Sequence, residues 1–258
     1  MPRIQFIELH DRSWFPALLR DEVTDALQFG ISFLGAYAPV APLIRSLLES
    51  TGASRVVDIC SGAGGPWLQL SAAIQADGRA VSISLSDKHP NLKAFERLNS
   101  ASRNLIQFQE GPIDAMNVPA ELAGVRTIFT SFHHFAPREA RALLQDAAAA
   151  RQGIGVFEIT SRSPAAIAMI LPWALLALFF TPFIRPFRWS RLLWTYVLPV
   201  IPMVLLFDGT VSCLRSYRVE ELEELARSLG EPRYCWKAGA VRGAAGMPIT
   251  YLLGTPTG

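Results

Sequence analysis

The stretch that decides the fold runs from Arg55 to Leu70 and reads Arg-Val-Val-Asp-Ile-Cys-Ser-Gly-Ala-Gly-Gly-Pro-Trp-Leu-Gln-Leu. Its valine pair is β-branched and apolar, which is typical of a buried strand. Asp58 comes at the expected carboxyl end of that strand. Three glycines follow, and then apolar residues at helical spacing. Strand, glycine turn and helix together predict the opening of a nucleotide-binding βα unit.

A second acid follows at the end of the next predicted strand. Val81–Leu85 alternates polar and apolar residues, and Asp87 comes just after it. In βαβ folds a carboxylate at about this distance from the glycines binds the ribose hydroxyls. Asp87 is equally suited to cap the helix that starts near Asn91, and the two roles are compatible. Two acids at successive strand ends predict a nucleotide site more specifically than either does alone.

The rest of the chain continues the alternation of strands and helices. Further strands are predicted at 106–109, 125–132 and 153–160, and a closing pair of strands at 234–241 and 249–253. This order predicts an α/β fold with a doubly wound, mostly parallel seven-stranded sheet and a C-terminal antiparallel hairpin. Helices precede the sheet, and an apolar helical insert follows its fifth strand.

The spacing Asp58-x-Cys60-x-Gly62-x-Gly64 resembles motif I of the class I S-adenosylmethionine-dependent methyltransferases, written D/E-x-G-x-G-x-G. The first glycine of the motif is replaced by Cys60, and we expect this small side chain to fit with a negative φ. The resemblance covers Val40 to Pro256 without the apolar insert. It rests on the order of elements with acids at strand ends. The G-x-G-x-x-G spacing of dinucleotide sites is absent, which argues against a nicotinamide-dependent oxidoreductase.

The resemblance implies S-adenosylmethionine as cofactor. An acid after the third strand recognises the adenine amine in this family, so Asp114 is the candidate, with a turn-capping aspartate as the alternative. The implied cofactor-binding residues are Asp58, Cys60, Ser61, Gly62, Gly64, Asp87 and Asp114.

An N-terminal helical segment often closes over the cofactor in the resembling family. The resemblance therefore makes Trp14, Arg20 and Tyr37 candidate substrate-lining residues, with a core or surface role as the alternative. Three further candidates lie just beyond the insert: Asp208, Arg215 and Tyr217.

His133 and His134 follow the fourth strand, where the family's fourth motif faces cofactor and substrate. Histidine titrates near neutral pH, so either is a candidate base for an acceptor hydroxyl or acidic carbon. Consecutive residues rarely share one orientation, so we expect at most one to face the site. A structural histidine bonded to backbone is the alternative.

Composition limits the partners. A formal charge of +2 gives no argument for nucleic acid, and the three cysteines have no metal or disulfide spacing. We therefore expect no metal site and a reducing compartment. Acids within the first twelve residues lie where a signal peptide has its apolar core, so no export signal is expected.

The insert is unusually apolar. Ser163–Ile184 and Leu192–Phe207 carry no charge, and Arg185, Arg188 and Arg191 lie between them. The first run is long enough to span a bilayer and the second is short for it. A spanning hairpin would carry the three arginines across the membrane, against the positive-inside tendency.

A hairpin that dips into one leaflet avoids this conflict. It would place the three arginines at the headgroups and the insert's aromatic residues near the interface: Trp173, Trp189, Trp194 and Tyr196. A soluble lid or dimer face is the alternative. Asp208-Gly209 is predicted as the turn that ends the insert.

The predicted organisation is a helical segment at 1–50, a cofactor-binding domain at 51–162 and 208–258, and the insert at 163–207. The expected function is methylation of a small, lipophilic or membrane-derived acceptor, by a cytoplasmic protein that is peripheral or monotopic at the inner face of the membrane. A non-catalytic binding or membrane-scaffold protein with the same fold is the alternative.

Overall fold

A computed structural model describes residues 1–75, 78, 80–243 and 246–257. The chain divides into two compact units. The insert unit consists of Met1–Leu34 and Thr160–Tyr217, and the sheet unit of Gly35–Ile159 and Arg218–Gly258. The predicted division kept the N-terminal segment apart from the insert, whereas the structure joins residues 1–34 to it.

The sheet unit contains a seven-stranded sheet in the order β3-β2-β1-β4-β5-β7-β6. Its strands are β1 (Arg55–Ile59), β2 (Ser82–Ser86), β3 (Ile106–Phe108), β4 (Val125–Phe129), β5 (Ile154–Glu158), β6 (Tyr234–Arg242) and β7 (Pro248–Pro256). The first five strands are parallel, and β7 pairs antiparallel with both β5 and β6. The predicted fold class is therefore confirmed.

The helices are α1 (Ala17–Phe33), α2 (Ala41–Thr51), α3 (Trp67–Gln75), α4 (Leu92–Ala101), α5 (Pro137–Ala149), α6 (Pro164–Phe180), α7 (Trp189–Leu192), α8 (Val200–Arg215) and α9 (Val219–Ser228). Pro42 lies in the first turn of α2, where the missing N–H is not needed. The side chain of Asn91, and not Asp87, caps α4 by accepting from the Ala94 N–H.

Burial in the sheet unit follows the parallel-sheet pattern. Every residue of β4 and β5 is buried, as expected for central strands covered on both faces. The buried cation Arg126 of β4 is paired with Asp146 of α5, at 2.5 Å between Nη1 and Oδ2. The parallel pairing of β1, β2, β4 and β5 brings their carboxyl ends to one edge of the sheet.

In the insert unit, α1, α6 and α8 pack against one another. Their shared core comprises Phe15, Leu19, Val23, Ala26, Ala174, Ala177, Ile184, Ile201, Val204 and Leu205. Pro172 lies inside α6 without ending it.

The predicted turn at Asp208-Gly209 is wrong, because α8 continues through both residues to Arg215. Gly209 lies where α8 crosses α6, and a Cβ there would come within 3.0 Å of Ile170. The glycine thus serves close helix packing and not a chain reversal, a distinction that local sequence does not contain.

The expected headgroup position of Arg191 is also wrong. Arg191 is buried and its Nη2 lies 2.6 Å from Oδ2 of Asp25 on α1. Its other terminal nitrogen donates to the carbonyl oxygens of Ile184 and Pro186. The partner acid is more than 160 residues away in sequence, so the pairing is a tertiary feature.

By length and composition, Pro164–Phe183 is long and apolar enough to cross a membrane. Two bent helix pairs among the described residues would raise the number of such spans to 3.

Candidate functional site

Asp58, near the end of β1, is hydrogen-bonded to residues of the neighbouring strands β2 and β4 and of the glycine loop. Its Oδ1 accepts a hydrogen bond from the Thr127 hydroxyl on β4 at 2.7 Å, and its carbonyl oxygen accepts from the hydroxyls of Ser61 and Ser86. Burial raises the pKa of Asp58 to about 7, because the charged carboxylate is removed from water, and the bond from Thr127 partly opposes this. Asp58 and Ser61 are therefore fixed elements of the edge.

Cys60 has φ +65°, so the expectation of a negative φ is wrong. The loop keeps the left-handed backbone that glycine favours, although a side chain there costs about 1–2 kcal/mol. Thr130, just after β4, has φ +43°, which is rarer still for a β-branched residue. Strain of this kind concentrates at functional sites, and here it lies at the ends of two adjacent strands.

The motif glycines have different tasks. A Cβ added at Gly64 would clash with Leu98 of α4, so this glycine is required for packing. A Cβ at Gly62 would meet nothing within 4 Å. The loop around Gly62 is therefore open to the close approach of a ligand.

Asp87 holds the glycine loop against the end of β2. Its Oδ2 accepts from the Gly62 N–H at 2.8 Å, and its Oδ1 accepts from the His89 N–H at 2.7 Å. A carboxylate offers about four acceptor positions, so two are left for a ligand's hydroxyl groups. The side chain is half-buried and oriented by both bonds.

Asp114 is exposed and its Oδ1 accepts from the Met116 N–H at 2.9 Å, which matches the turn-capping alternative. The preceding Ile113 N–H donates to the carbonyl oxygen of Asp87 at 2.9 Å. The structure therefore brings the Asp114 segment to the same edge as Asp87 and Gly62.

His133 and His134 lie in a short 3-10 turn after β4. His133 is buried, and its Nδ1 lies 2.8 Å from Oε2 of Glu158 at the end of β5. Oε1 of Glu158 accepts from the backbone N–H groups of Phe132 and His133, at 2.6 and 3.3 Å. A carboxylate at Nδ1 keeps the proton on that nitrogen, so Nε2 is the basic atom. His134 is half-buried, with its ring centroid 4.3 Å from that of His133.

Sequence reasoning missed Glu158. The signal was present, since it is the acid at the end of the fifth predicted strand, as Asp58 and Asp87 are at the ends of the first two. Its contact with His133 could not be predicted, because the turn that carries His133 has no periodic pattern that orients its side chain.

Tyr37 is buried in the sheet unit and does not present an open surface. Its hydroxyl is hydrogen-bonded to Thr130 and donates to the carbonyl oxygen of Phe157 at 3.3 Å. Burial, followed by the nearby charge of Glu158, raises the pKa of Tyr37 well above its usual value. Tyr37 therefore supports the strand ends from within.

The other predicted lining residues belong to the insert unit. Trp14 is exposed, and Arg20 donates to carbonyl oxygens of the 10–15 segment. Asp208 accepts from the backbone N–H groups of Leu9 and His10, at 2.7 and 3.2 Å.

The C-terminal end of α8 has the same tertiary role. Arg215 forms ion pairs with Glu8 and Asp11, at 3.2 and 3.4 Å, and Tyr217 lies under the guanidinium of Arg3. These residues fix the N-terminal segment to α8, and their role toward a substrate stays a prediction.

Two surface hollows of the sheet unit lie elsewhere. One is lined by residues between Ala226 and Trp236 and the other by residues between Leu48 and Ser54. Neither includes a predicted site residue. The candidate site is therefore identified by the polar groups at the strand ends.

No protein-family model matches the chain, and a search of curated proteins gives no match. Among solved structures, an O-methyltransferase family protein from Burkholderia thailandensis aligns with 17% identity and a TM-score of 0.54, over 91% of this chain and 59% of that one. The S-adenosylmethionine-dependent methyltransferase SibL aligns with 13% identity and a TM-score of 0.52, over 86% and 56%.

This chain thus spans less than two thirds of the length of these two structures. A structure named as a putative Zn-dependent alcohol dehydrogenase from Rhodobacter sphaeroides aligns with 14% identity and a TM-score of 0.53, over 93% and 98%. At such identities the likeness concerns the fold. Together with the strand order and the acid–glycine edge, it establishes that this chain has the fold of the class I S-adenosylmethionine-dependent methyltransferases.

Proposed function

We propose that this protein is an S-adenosylmethionine-dependent methyltransferase that acts on a small, lipophilic or membrane-derived acceptor. The observation that carries the proposal is the carboxylate of Asp87, which is bonded to the N–H of Gly62 and keeps acceptor positions for ribose hydroxyls. The open backbone at Gly62 fits the close approach of an adenosine-bearing ligand, and the Asp114 segment lies next to it.

The cofactor, when bound, supplies an electrophilic methyl group on a sulfonium. The residues of this chain hold that ligand and manage one proton. With that methyl donor bound, Nε2 of His133 would accept the proton of an acceptor hydroxyl. Glu158 would stabilise the imidazolium through Nδ1. The similar structure from Burkholderia thailandensis is that of an O-methyltransferase family protein, which supports oxygen as the acceptor atom.

The lipophilic character of the acceptor is supported by the insert unit, whose helices expose many large apolar side chains. We place the protein in the cytoplasm, peripheral or monotopic at the inner face of the membrane, where a lipid-soluble acceptor is concentrated. The mild charge of +2 favours a small-molecule or lipid partner over nucleic acid.

One observation favours a non-catalytic binding or membrane-scaffold protein with the same fold. His133 is only 1% exposed, so proton transfer requires a movement that gives an acceptor access to Nε2. Such a protein would bind the cofactor without turnover.

Isothermal calorimetry with S-adenosylmethionine and its demethylated product tests the proposal. We expect micromolar binding that is weakened about 100-fold in Asp87→Ala and retained in Glu96→Ala, which removes an exposed acid of α4 outside the site. Absence of binding to the wild type contradicts both functions.

Turnover separates the two functions. Lipid and quinone-like extracts are incubated with the protein and a deuterated methyl donor, and products are sought by mass spectrometry. A labelled product that disappears in His133→Ala supports the enzyme. Cofactor binding with no labelled product in any extract supports the scaffold.

A further inference from the structure

The helix α6 has no polar face. All seventeen of its residues are apolar, and a helix that is apolar all round lies in a protein core or in a membrane. Yet its buried residues are the small Ala174 and Ala177, while large side chains such as Leu175 and Phe179 are more than half exposed. In a water-soluble protein the large apolar side chains would be the buried ones.

The helix α8 buries apolar residues such as Ile201 in the shared core, and it also buries the polar Asp208, Ser212 and Arg215. Its outer face nevertheless carries large apolar side chains, since Met203 and Phe207 are exposed, Met203 at 64%. An apolar outer face together with buried polar groups is expected where the surrounding solvent is hydrocarbon.

Small residues also mediate the helix contacts. A Cβ added to Gly30 of α1 would lie 2.6 Å from the ring of Trp173 on α6, and Gly209 of α8 lies against Ile170. Close approach at glycine and alanine is how helices associate in lipid, because the hydrophobic effect does not drive their packing there.

Two acids of α1 are buried within the bundle. Asp25 forms an ion pair with Arg191 at 2.6 Å, and Glu22 accepts a hydrogen bond from the Ser190 hydroxyl at 2.5 Å. Ionisable groups within membrane helices face the bundle interior in the same way.

The remaining features define the ends of the apolar region. Pro164–Phe183 has 20 residues, or about 30 Å of helix, which matches the hydrocarbon thickness of a bilayer. Beyond it come the exposed Arg185 and Trp189, and Tyr196 is also exposed. Basic and aromatic residues of this kind collect at the membrane–water interface.

We infer that α6 and α8 of the insert unit lie in the hydrocarbon region of a lipid bilayer, with their exposed apolar side chains in contact with acyl chains. The inference deepens the membrane location given in the proposed function and does not depend on methyl transfer. A second copy of the chain is a less favoured partner for this exposed apolar surface. Exposed large apolar side chains occur on α1, α6 and α8 and in the segment 183–198, and one self-complementary interface of about 800 Å² a side covers only part of them.

Flotation of the full chain with phosphatidylcholine vesicles, with and without phosphatidylglycerol, tests the inference. We expect the protein to float with both vesicles and to resist washes with high salt and alkaline carbonate. The double variant Leu175→Lys/Phe179→Lys is expected to lower the vesicle-bound to free ratio at least about tenfold, because lysine is strongly disfavoured in hydrocarbon. The matched control, Leu68→Lys/Leu92→Lys, replaces exposed leucines of the sheet unit and is expected to float like the wild type.

Met203→Lys repeats the test on α8, so the result does not rest on the folding of one variant. Release by high salt, or a wild type that stays free of vesicles, overturns the inference. A dimer in detergent-free buffer that the double variant dissociates assigns the surface to a second copy instead. Calorimetry with S-adenosylmethionine on the double variant keeps the two proposals apart, since unchanged affinity with lost flotation concerns only the membrane.

Discussion

The two units of this protein treat apolar side chains in opposite ways. Among the described residues of the sheet unit, only Leu68 and Leu92 are large, apolar and exposed, whereas the smaller insert unit exposes such side chains along α1, α6 and α8. One chain therefore contains a unit that buries nearly all of its large apolar side chains and a unit that also exposes many of them. The difference shows that the size of the exposed apolar side chains indicates what surrounds a surface better than the fraction of apolar residues does.

Two buried ion pairs sharpen this comparison. Arg191 and Asp25 of the insert unit are both almost fully buried, whereas the partner of Arg126 in the sheet unit, Asp146, is 26% exposed. When Asp146 is removed, water can enter and solvate Arg126. Water cannot reach Arg191 in the same way when Asp25 is removed.

The largest effect is expected from Asp25→Ala. It leaves the Arg191 charge uncompensated, which costs about 3–5 kcal/mol of unfolding free energy. Asp146→Ala is expected to cost roughly half as much, since the exposed side of that pair is open to water. Denaturant unfolding in detergent micelles measures both. Equal losses in the two variants would contradict the assigned difference in environment.

Asp87→Ala tests the candidate cofactor site of the sheet unit. Loss of the bond to Gly62 and of two acceptor positions is expected to weaken S-adenosylmethionine binding about 100-fold, because bonds to a charged group contribute about 1.5–3 kcal/mol each. Vesicle flotation is expected to stay unchanged. An Asp87→Ala protein that binds the cofactor like the wild type would remove the main support for the site.

Asp58 makes the sheet unit pH-dependent. Its pKa of about 7 in the folded protein lies above the ordinary 3.8, so the folded state binds the proton more tightly between these values. Its contribution to stability is greatest below about pH 4 and is lost as the pH rises through 7, by up to about 1.4 kcal/mol per pH unit.

Asp58→Asn is expected to remove this slope, because the amide stays neutral and its oxygen still accepts from Thr127. Denaturant unfolding between pH 5 and pH 8 measures the difference between wild type and variant. A slope that persists in Asp58→Asn would assign it to other groups.

The smallest effect is expected from Cys60→Gly. Relief of the left-handed backbone is offset by the greater freedom of glycine in the unfolded chain, so the net gain is at most about 1 kcal/mol. Cys235→Gly is the control, since Cys235 lies in the extended strand β6 and its replacement is expected to destabilise by about 0.5–1 kcal/mol. Thermal unfolding compares the two, and a loss at Cys60 equal to that at Cys235 would contradict the strain argument.

Much of the sheet unit could be predicted from the sequence. Strand positions follow from β-branched runs, and Asp58 and Asp87 lie at strand ends because chain polarity fixes which end carries them. The closing hairpin at β6 and β7 was equally visible. These features are local, and parallel topology then brings the strand ends to one edge.

The predictions that failed depended on distant partners. The φ of Cys60 is set by a loop held to β2 through Asp87, the position of Arg191 by Asp25 on α1, and the helical course of Asp208-Gly209 by α6. Glu158 was passed over because its partner, His133, comes from another strand end.

By itself the sequence determined the order of strands and helices, the cradle of acids and glycines, and the presence of a long apolar insert, because periodicity and spacing are properties of neighbouring residues. Only the tertiary structure decided that α1 belongs with the insert, that Glu158 orients His133, and that α6 buries its alanines and exposes its leucines. Those outcomes depend on which surfaces meet in space, and the local pattern of the chain does not specify which residues of other helices and strands become partners.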